Sequence, residues 1–180
     1  MKIVLATPLY PPDTEPTALY CKELAKRLGQ EKHHQVTIVT YGKLPEQIPG
    51  VAIIAVDKNK PLFIRIAHFT LNLWRASQKA DILYIQNGAS VELPALITTM
   101  ITRTPFILFS TDKNVTKQAQ KSRMYRMINQ AIIRRACVVV TEIPHEKPEI
   151  LSFSPRPERE LLEYEDSWTK HLEAIHKLNA

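Results

Sequence analysis

The chain has 180 residues, 44% of them hydrophobic and 23% charged, which suits a single domain with a substantial core. Its formal net charge of +6 fits a phosphate-bearing substrate, a lipid surface or a nucleic acid, and is too modest to choose among them. Two cysteines without C-x-x-C spacing and histidines without ligand spacing exclude a recognisable metal or redox motif, so no metal site and no cofactor are predicted.

Met1-Lys2 leads straight into a short apolar run rather than a longer signal-like segment, which predicts a cytoplasmic protein. Runs rich in Val, Ile and Leu recur at Lys2–Thr7, Gln35–Tyr41, Val51–Val56, Asp81–Gln86, Phe106–Ser110 and Ala136–Thr141. Each has the character of a strand buried on both faces of a parallel sheet. Helical periods lie between most of them. Pro16–Leu28 aligns Leu19, Leu24 and Leu28, and Pro61–Ala80 aligns Leu62, Ile66, Phe69, Leu73 and Trp74. A third helix is predicted over Val91–Ile101. A fourth, over Lys117–Arg135, would turn Met124, Met127, Ile128, Ala131 and Ile132 inward.

One connection is different. Between Tyr41 and Val51 stand Gly42, Pro45, Pro49 and Gly50, too few residues for a crossover helix, so a loop must reach the third strand. The longest apolar region, Val91 to Phe109, is broken by Pro94, Arg103 and Pro105 and cannot be one membrane-spanning helix of roughly 20 residues. Past the sixth strand, Pro144, Pro148, Pro155 and Pro157 punctuate a connection over 144–157. A helical segment over 158–180 then aligns Leu161, Tyr164, Trp168, Leu172 and Ile175, with Ser167 placed to cap its last part. The expected fold is therefore α/β: a single Rossmann-like, doubly wound, mainly parallel sheet of about six strands flanked by helices.

In such sheets ligands bind beyond the carboxyl ends of the strands, which selects the loops Pro8–Thr17, Asn87–Ser90, Thr111–Asn114 and Glu142–His145. Neither G-x-G-x-x-G nor G-K-[ST] occurs, so a nicotinamide or P-loop role has no support. The opening Thr7-Pro-Leu-Tyr-Pro-Pro-Asp-Thr-Glu-Pro-Thr17 with its following helix, His34-Gln-Val-Thr-Ile-Val-Thr-Tyr-Gly42, Ala80-Asp-Ile-Leu-Tyr-Ile-Gln-Asn87 and the Pro105 strand ending at Asp112 form an ordered set. Over residues 1–143 this set resembles the acceptor-side, N-terminal domain of retaining GT-B glycosyltransferases of the large family-four group. Arg159 to His176 similarly resembles that family's terminal crossover helix, which returns to pack on the first domain.

The resemblance implies half of a GT-B fold, in which the acceptor is held mainly by this domain and the nucleotide sugar by a second, donor-binding one. It departs from the family pattern in the first loop, where the family's Gly-Gly falls on Glu15-Pro16, and after the fifth strand, where the family's histidine falls on Thr111. Glu15 would repel donor phosphates and Pro16 removes an N–H from the helix start.

Candidate acceptor or cleft-lining residues are Asp13, Thr14, Glu15, Thr17, Asn87, Ser90, Thr111, Asp112 and Glu142; no catalytic residue is assigned. Asp13 and Asp112 also read as turn or cap residues, the reading preferred here, and for Asn87 the two readings are balanced. Lys117, Lys121, Arg123, Arg126 and Arg134 are candidates for contact with an anionic surface, against a solvated helix face as the plainer alternative. Two functions from different classes follow. One is a glycosyltransferase-like acceptor subunit, inactive alone, that works with a donor-binding domain in trans. The other is a non-catalytic module holding a glycan, a lipid-linked sugar or a partner protein. Peripheral membrane contact is compatible with either, and nucleic-acid binding, supported by charge alone, ranks last.

Overall fold

A computed structural model describes residues 1–31, 33–88, 90–110, 121–141 and 160–163, with the backbone alone at 141 and 160–163. The apolar run at the start forms β1 (Lys2–Ala6), whose side chains alternate between two cores. Ile3 and Leu5 point to one face of the sheet and Val4 and Ala6 to the other, and all four are buried. Parallel strands need such two-sided burial because helices cover both faces.

After β1 come α1 (Pro16–Gln30), β2 (Gln35–Tyr41), β3 (Val51–Val56), α2 (Leu62–Ser77), β4 (Ile82–Gln86), α3 (Glu92–Thr102), β5 (Phe106–Phe109), α4 (Arg123–Arg135), β6 (Val138–Thr141) and β7 (Glu160–Glu163). The spatial order is β3-β2-β1-β4-β5-β6-β7, and every pairing is parallel. Ile3 sits beside Val36 on one flank and Ile82 on the other, so β1 and β4 meet at the centre and the chain winds outward from there in both directions. That seam is the topological switch point at which doubly wound sheets open a crevice.

Helix α1 packs Tyr20, Cys21, Leu24 and Leu28 against Ile3, Leu5, Ile38 and Tyr84. The opposite face carries α2, α3 and α4, which contribute Phe69 and Leu73, Ala95, and Ile132 and Ile133 around Val4, Val39, Leu83 and Leu108. Asn129 Nδ2 donates to the buried Glu92 Oε1 at 2.9 Å, and Arg135 Nη2 donates to the Thr99 carbonyl at 3.2 Å, tying α4 to α3. The β2–β3 connection is the helix-free loop its prolines and glycines predict. It closes through Val51 N donating to the Ile48 carbonyl, with Gly50 at φ 79°, a left-handed conformation that a Cβ would strain.

Several expectations change. Glu160–Glu163 is not helical: it pairs in parallel with β6 as a seventh, edge strand. A four-residue Glu-Leu-Leu-Glu segment fits either period, and an open sheet edge decides it. Residues 164–180, and with them the stripe through Trp168, Leu172 and Ile175, lie outside the described residues. Leu19 and Leu62 face outward, and so do Met124 and Met127, at 61% and 62% exposure. In α4 Ile132 is buried as expected, joined by Asn129 and Ile133, because the polar tie to Glu92 rotates the inward face toward Asn129.

Candidate functional site

The carboxyl ends of β1, β4 and β5 converge at the switch point, and each strand terminates in a small polar side chain. Thr7 follows β1, Gln86 ends β4 with Asn87 behind it, and Ser110 follows β5. Thr7, Gln86 and Asn87 are buried, so their polar atoms must find partners within the protein. The Thr7 hydroxyl lies beside Gln86 Oε1 and 2.6 Å from the Leu9 carbonyl, while Gln86 Nε2 donates to the Thr17 carbonyl at 3.1 Å. Asn87 N–H donates to the Phe109 carbonyl at 2.9 Å, continuing the ladder, and its Nδ2 lies 3.4 Å from Ser110 Oγ. These bonds fix an uncharged floor of hydroxyls and amides beneath the loops.

Over that floor the first loop is held from three directions. Gly88 lies directly against Pro8: a Cβ there would fall 2.7 Å from Pro8 Cγ, so the two loops touch backbone to ring. Lys58, just beyond β3, donates to Asp13 Oδ2 at 2.6 Å. Glu46 N–H donates to the Pro11 carbonyl at 3.0 Å, and its carboxylate accepts from Lys22 of α1 at 2.5 Å. Deeper in, Tyr10 is buried and its hydroxyl has no hydrogen-bond partner among the described residues. Burial, with Cys21 and Glu46 adding negative potential, pushes its pKa well above the ordinary phenol range.

On the other side of the crevice Tyr41 ends β2 and donates its hydroxyl proton to the Ser90 carbonyl at 2.9 Å. Its ring stacks on Phe69 at 4.5 Å between centroids, and the Arg65 guanidinium lies 5.5 Å from its centroid. Burial pushes the Tyr41 phenol up to about 12, so it stays protonated as a donor.

The sequence-predicted residues thus separate into groups. Asn87 lies in the floor, Thr17 meets it through its carbonyl, and Ser90 anchors Tyr41. Asp13 is an ion-pair member rather than a bare acceptor-facing carboxylate. Thr14 and Glu15 are exposed at the start of α1, where the Glu15 carbonyl, not its side chain, receives the first helical N–H bonds. Thr111, Asp112, Glu142 and Lys117 lie outside the described residues, while Lys121, Arg123, Arg126 and Arg134 stand exposed along and just before α4. Thr7, Gln86, Ser110, Tyr10 and Lys58 were not singled out as site residues. For three of them the available signal was position, a polar residue at or just past the end of an apolar strand.

Among the described residues no group of three or more His, Cys, Asp or Glu could hold a metal ion, and no helix is long and apolar enough to cross a membrane. The arrangement is a fixed array of hydrogen-bonding groups at the carboxyl edge of the sheet.

Comparison with known proteins agrees with this architecture. The family described as "Glycosyl transferase 4-like domain" matches residues 17–162. Sucrose-phosphate synthase from Thermosynechococcus elongatus superposes with a TM-score of 0.68 at 13% identity, covering 99% of this chain and 97% of that one. Anabaena HepE, solved in complex with UDP and glucose, gives a TM-score of 0.61 at 13% identity over 99% of this chain and 50% of its own. A putative UDP-N-acetylglucosamine 2-epimerase from Listeria monocytogenes gives 0.62 at 13% identity over 88% of this chain and 44% of its own. The chain therefore spans about half the length of the latter two structures, and at these identities the likeness is one of fold. No curated protein matches the chain in sequence.

Proposed function

The chain belongs to the glycosyl transferase 4-like domain family, as the N-terminal, Rossmann-like half of a GT-B fold, and from that premise we propose that it holds the acceptor in a sugar-transfer reaction. The observation that carries this reading is the uncharged floor of Thr7, Gln86, Asn87 and Ser110 at the switch point. Sugar hydroxyls are both donors and acceptors, and amides and hydroxyls meet them without the desolvation cost of buried charge. The nucleotide sugar would be gripped by a donor-binding domain supplied in trans, the crevice forming where the two meet. Within this chain Glu15, exposed at the start of α1, sets a negative charge where a helix N-terminus would otherwise attract a donor phosphate.

Titration calorimetry of the isolated chain tests the assignment. Oligosaccharides or lipid-linked sugars should give measurable binding that Asn87→Ala weakens by about tenfold, roughly one hydrogen bond to a buried amide. Nucleotide sugars should give none. Tight binding of a nucleotide sugar would falsify the division of labour proposed here.

A second reading, a non-catalytic binding module, draws on the same first loop. Asp13 is paired with Lys58, and the floor itself, Thr7, Gln86, Asn87 and Ser110, carries no carboxylate to serve as a general base. Mixing the chain with a donor-binding domain separates the two: turnover of a nucleotide sugar supports the transferase reading, and glycan binding without complex formation or turnover supports the module.

A further inference from the structure

Strand β3 is one edge of the sheet: β2 lies on its inner side, and no described strand lies on its outer side. Gly42 N–H donates to the Val56 carbonyl at 3.0 Å, so by the alternation of a parallel ladder Val56, Ile54 and Ala52 turn their backbone groups toward β2. Ile53 and Ala55 therefore turn theirs outward. Each presents an N–H and a carbonyl along the edge, and among the described residues these groups have no hydrogen-bond partner.

An open edge templates pairing with another chain, and folded proteins commonly guard it with a lysine, a proline, a bulge or an inward charge. The opposite edge of the described sheet, β7, has a glutamate at each end. Val51-Ala-Ile-Ile-Ala-Val56 has neither charge nor proline, and its register with β2 runs unbroken from Val51 to Val56, without a bulge. Ile53 packs against the core on the α1 side of the sheet and Ile54 against the core on the other side, and both remain partly exposed. Each face of the edge thus presents an isoleucine.

We propose that β3 pairs antiparallel with β3 of a second copy about a two-fold axis at Ile54, joining the two sheets into one. This centring sets Ile53 opposite Ala55 of the second copy, and the reverse, as hydrogen-bonded pairs, so every outward N–H and carbonyl of these two residues finds a partner. A large side chain stands beside a small one there, while the two Ile54 side chains meet across the axis on the other face as the closer, non-hydrogen-bonded pair. A foreign strand would meet the same backbone groups, but the fit of this uncharged segment to itself on both faces favours a second copy. The pairing consumes the open edge of both copies, so assembly closes at two. A single strand pair buries well under the roughly 800 Å² per partner of a standard interface, which makes the dimer a reversible one. Across the axis the strands run in opposite directions, so the carboxyl edges point opposite ways and neither copy covers the other's crevice. The inference rests on the sheet edge and does not depend on sugar transfer.

Sedimentation equilibrium of the full chain, from low micromolar to near-millimolar concentration, should show monomer and dimer without larger species. Ala52→Lys, which sets a charge on the edge, and Ala55→Pro, which removes an outward N–H where an edge strand tolerates proline, should each weaken association at least about tenfold. Ala52 is exposed, so its variant should keep the circular dichroism and thermal midpoint of the wild type. Under mild oxidation Ile54→Cys should give a cross-linked dimer, because the two thiols meet at the axis; Ala52→Cys, more exposed but displaced from its symmetry mate, should not. A wild type that stays monomeric throughout, association unchanged by Ala52→Lys, open-ended oligomers, or cross-linking by Ala52→Cys as efficient as by Ile54→Cys overturns the proposal. So does a monomeric wild type that binds a free V-A-I-I-A-V peptide, which would assign the edge to a foreign strand.

Discussion

Helices α1 and α2 follow strands in the same sheet and are of nearly equal length, yet they are finished differently. Among the described helices α1 alone covers its face, and it buries Ala18, Tyr20, Cys21, Leu24, Ala25 and Leu28. Its outer side is polar, with Arg27 paired to Glu23 at 2.8 Å across one turn. Helix α2 shares the opposite face with α3 and α4, buries only Phe69, Leu73 and Ser77, and leaves its first turn apolar and open. Where one helix must close a core, nearly every inward position is committed. Where three share the task, one of them has side chains to spare for a surface.

The sharpest break of that comparison is a matched pair of truncations read by urea unfolding. Leu24→Ala should cost about 2–5 kcal/mol, since a fully buried leucine in α1 leaves a cavity the sheet cannot collapse into. Phe63→Ala should stay within about 0.5 kcal/mol of wild type. Comparable losses would mean that the corner of α2 is packed after all.

Next in size is Gly88→Ala, where the new methyl would press on Pro8 at 2.7 and 2.9 Å against a ring that cannot swing aside. We expect a loss of about 1–3 kcal/mol, together with shifted amide resonances at Pro8-flanking residues and Asn87. A neutral outcome would show that the two loops can part freely.

The α1 face should also respond to base. Cys21, within the α1 core, has its thiol pushed up to about 12 by burial, from an ordinary value near 9. The folded thiol keeps a proton that the unfolded chain releases, so the stability it supports is complete below about pH 9 and falls as pH rises toward 12. The slope from this group is about 1.4 kcal/mol per pH unit. Cys21→Ala should flatten that part of the profile, and an unchanged slope would assign it elsewhere. The smallest effect is expected at Arg103, which ends α3 with φ 57°: Arg103→Gly should raise stability by about 0.5–1 kcal/mol in thermal unfolding.

The fold was legible because six apolar runs and the helices between them each declare a single period, and because the short proline-bearing stretch from Gly42 to Gly50 leaves no room for a helix. Helix rotation was harder to read. Met124 and Met127 fit an inward stripe as well as Ile132 does, and only the pairing of Asn129 with Glu92, 37 positions earlier, reveals which side is buried. The same holds in the site. Asn87 could be named from its place after a strand, but the capture of Asp13 by Lys58 joins residues 45 apart on different loops and has no local signature. Strand β7 was missed because four residues carry too little period to oppose a helical neighbourhood.

The central seam between β1 and β4 has a further consequence for how the chain reaches this structure. Its register joins Ile3 to Ile82, whereas the β2–β3 ladder joins Val36 to Val51. The longer closure costs about 1.5 kcal/mol more chain entropy before any bond in that ladder forms. Amide protection measured during refolding should therefore arise in the β2–β3 ladder first and across the β1–β4 seam last. The strands that frame the crevice are thus expected to meet late, when the outer ladder is already built.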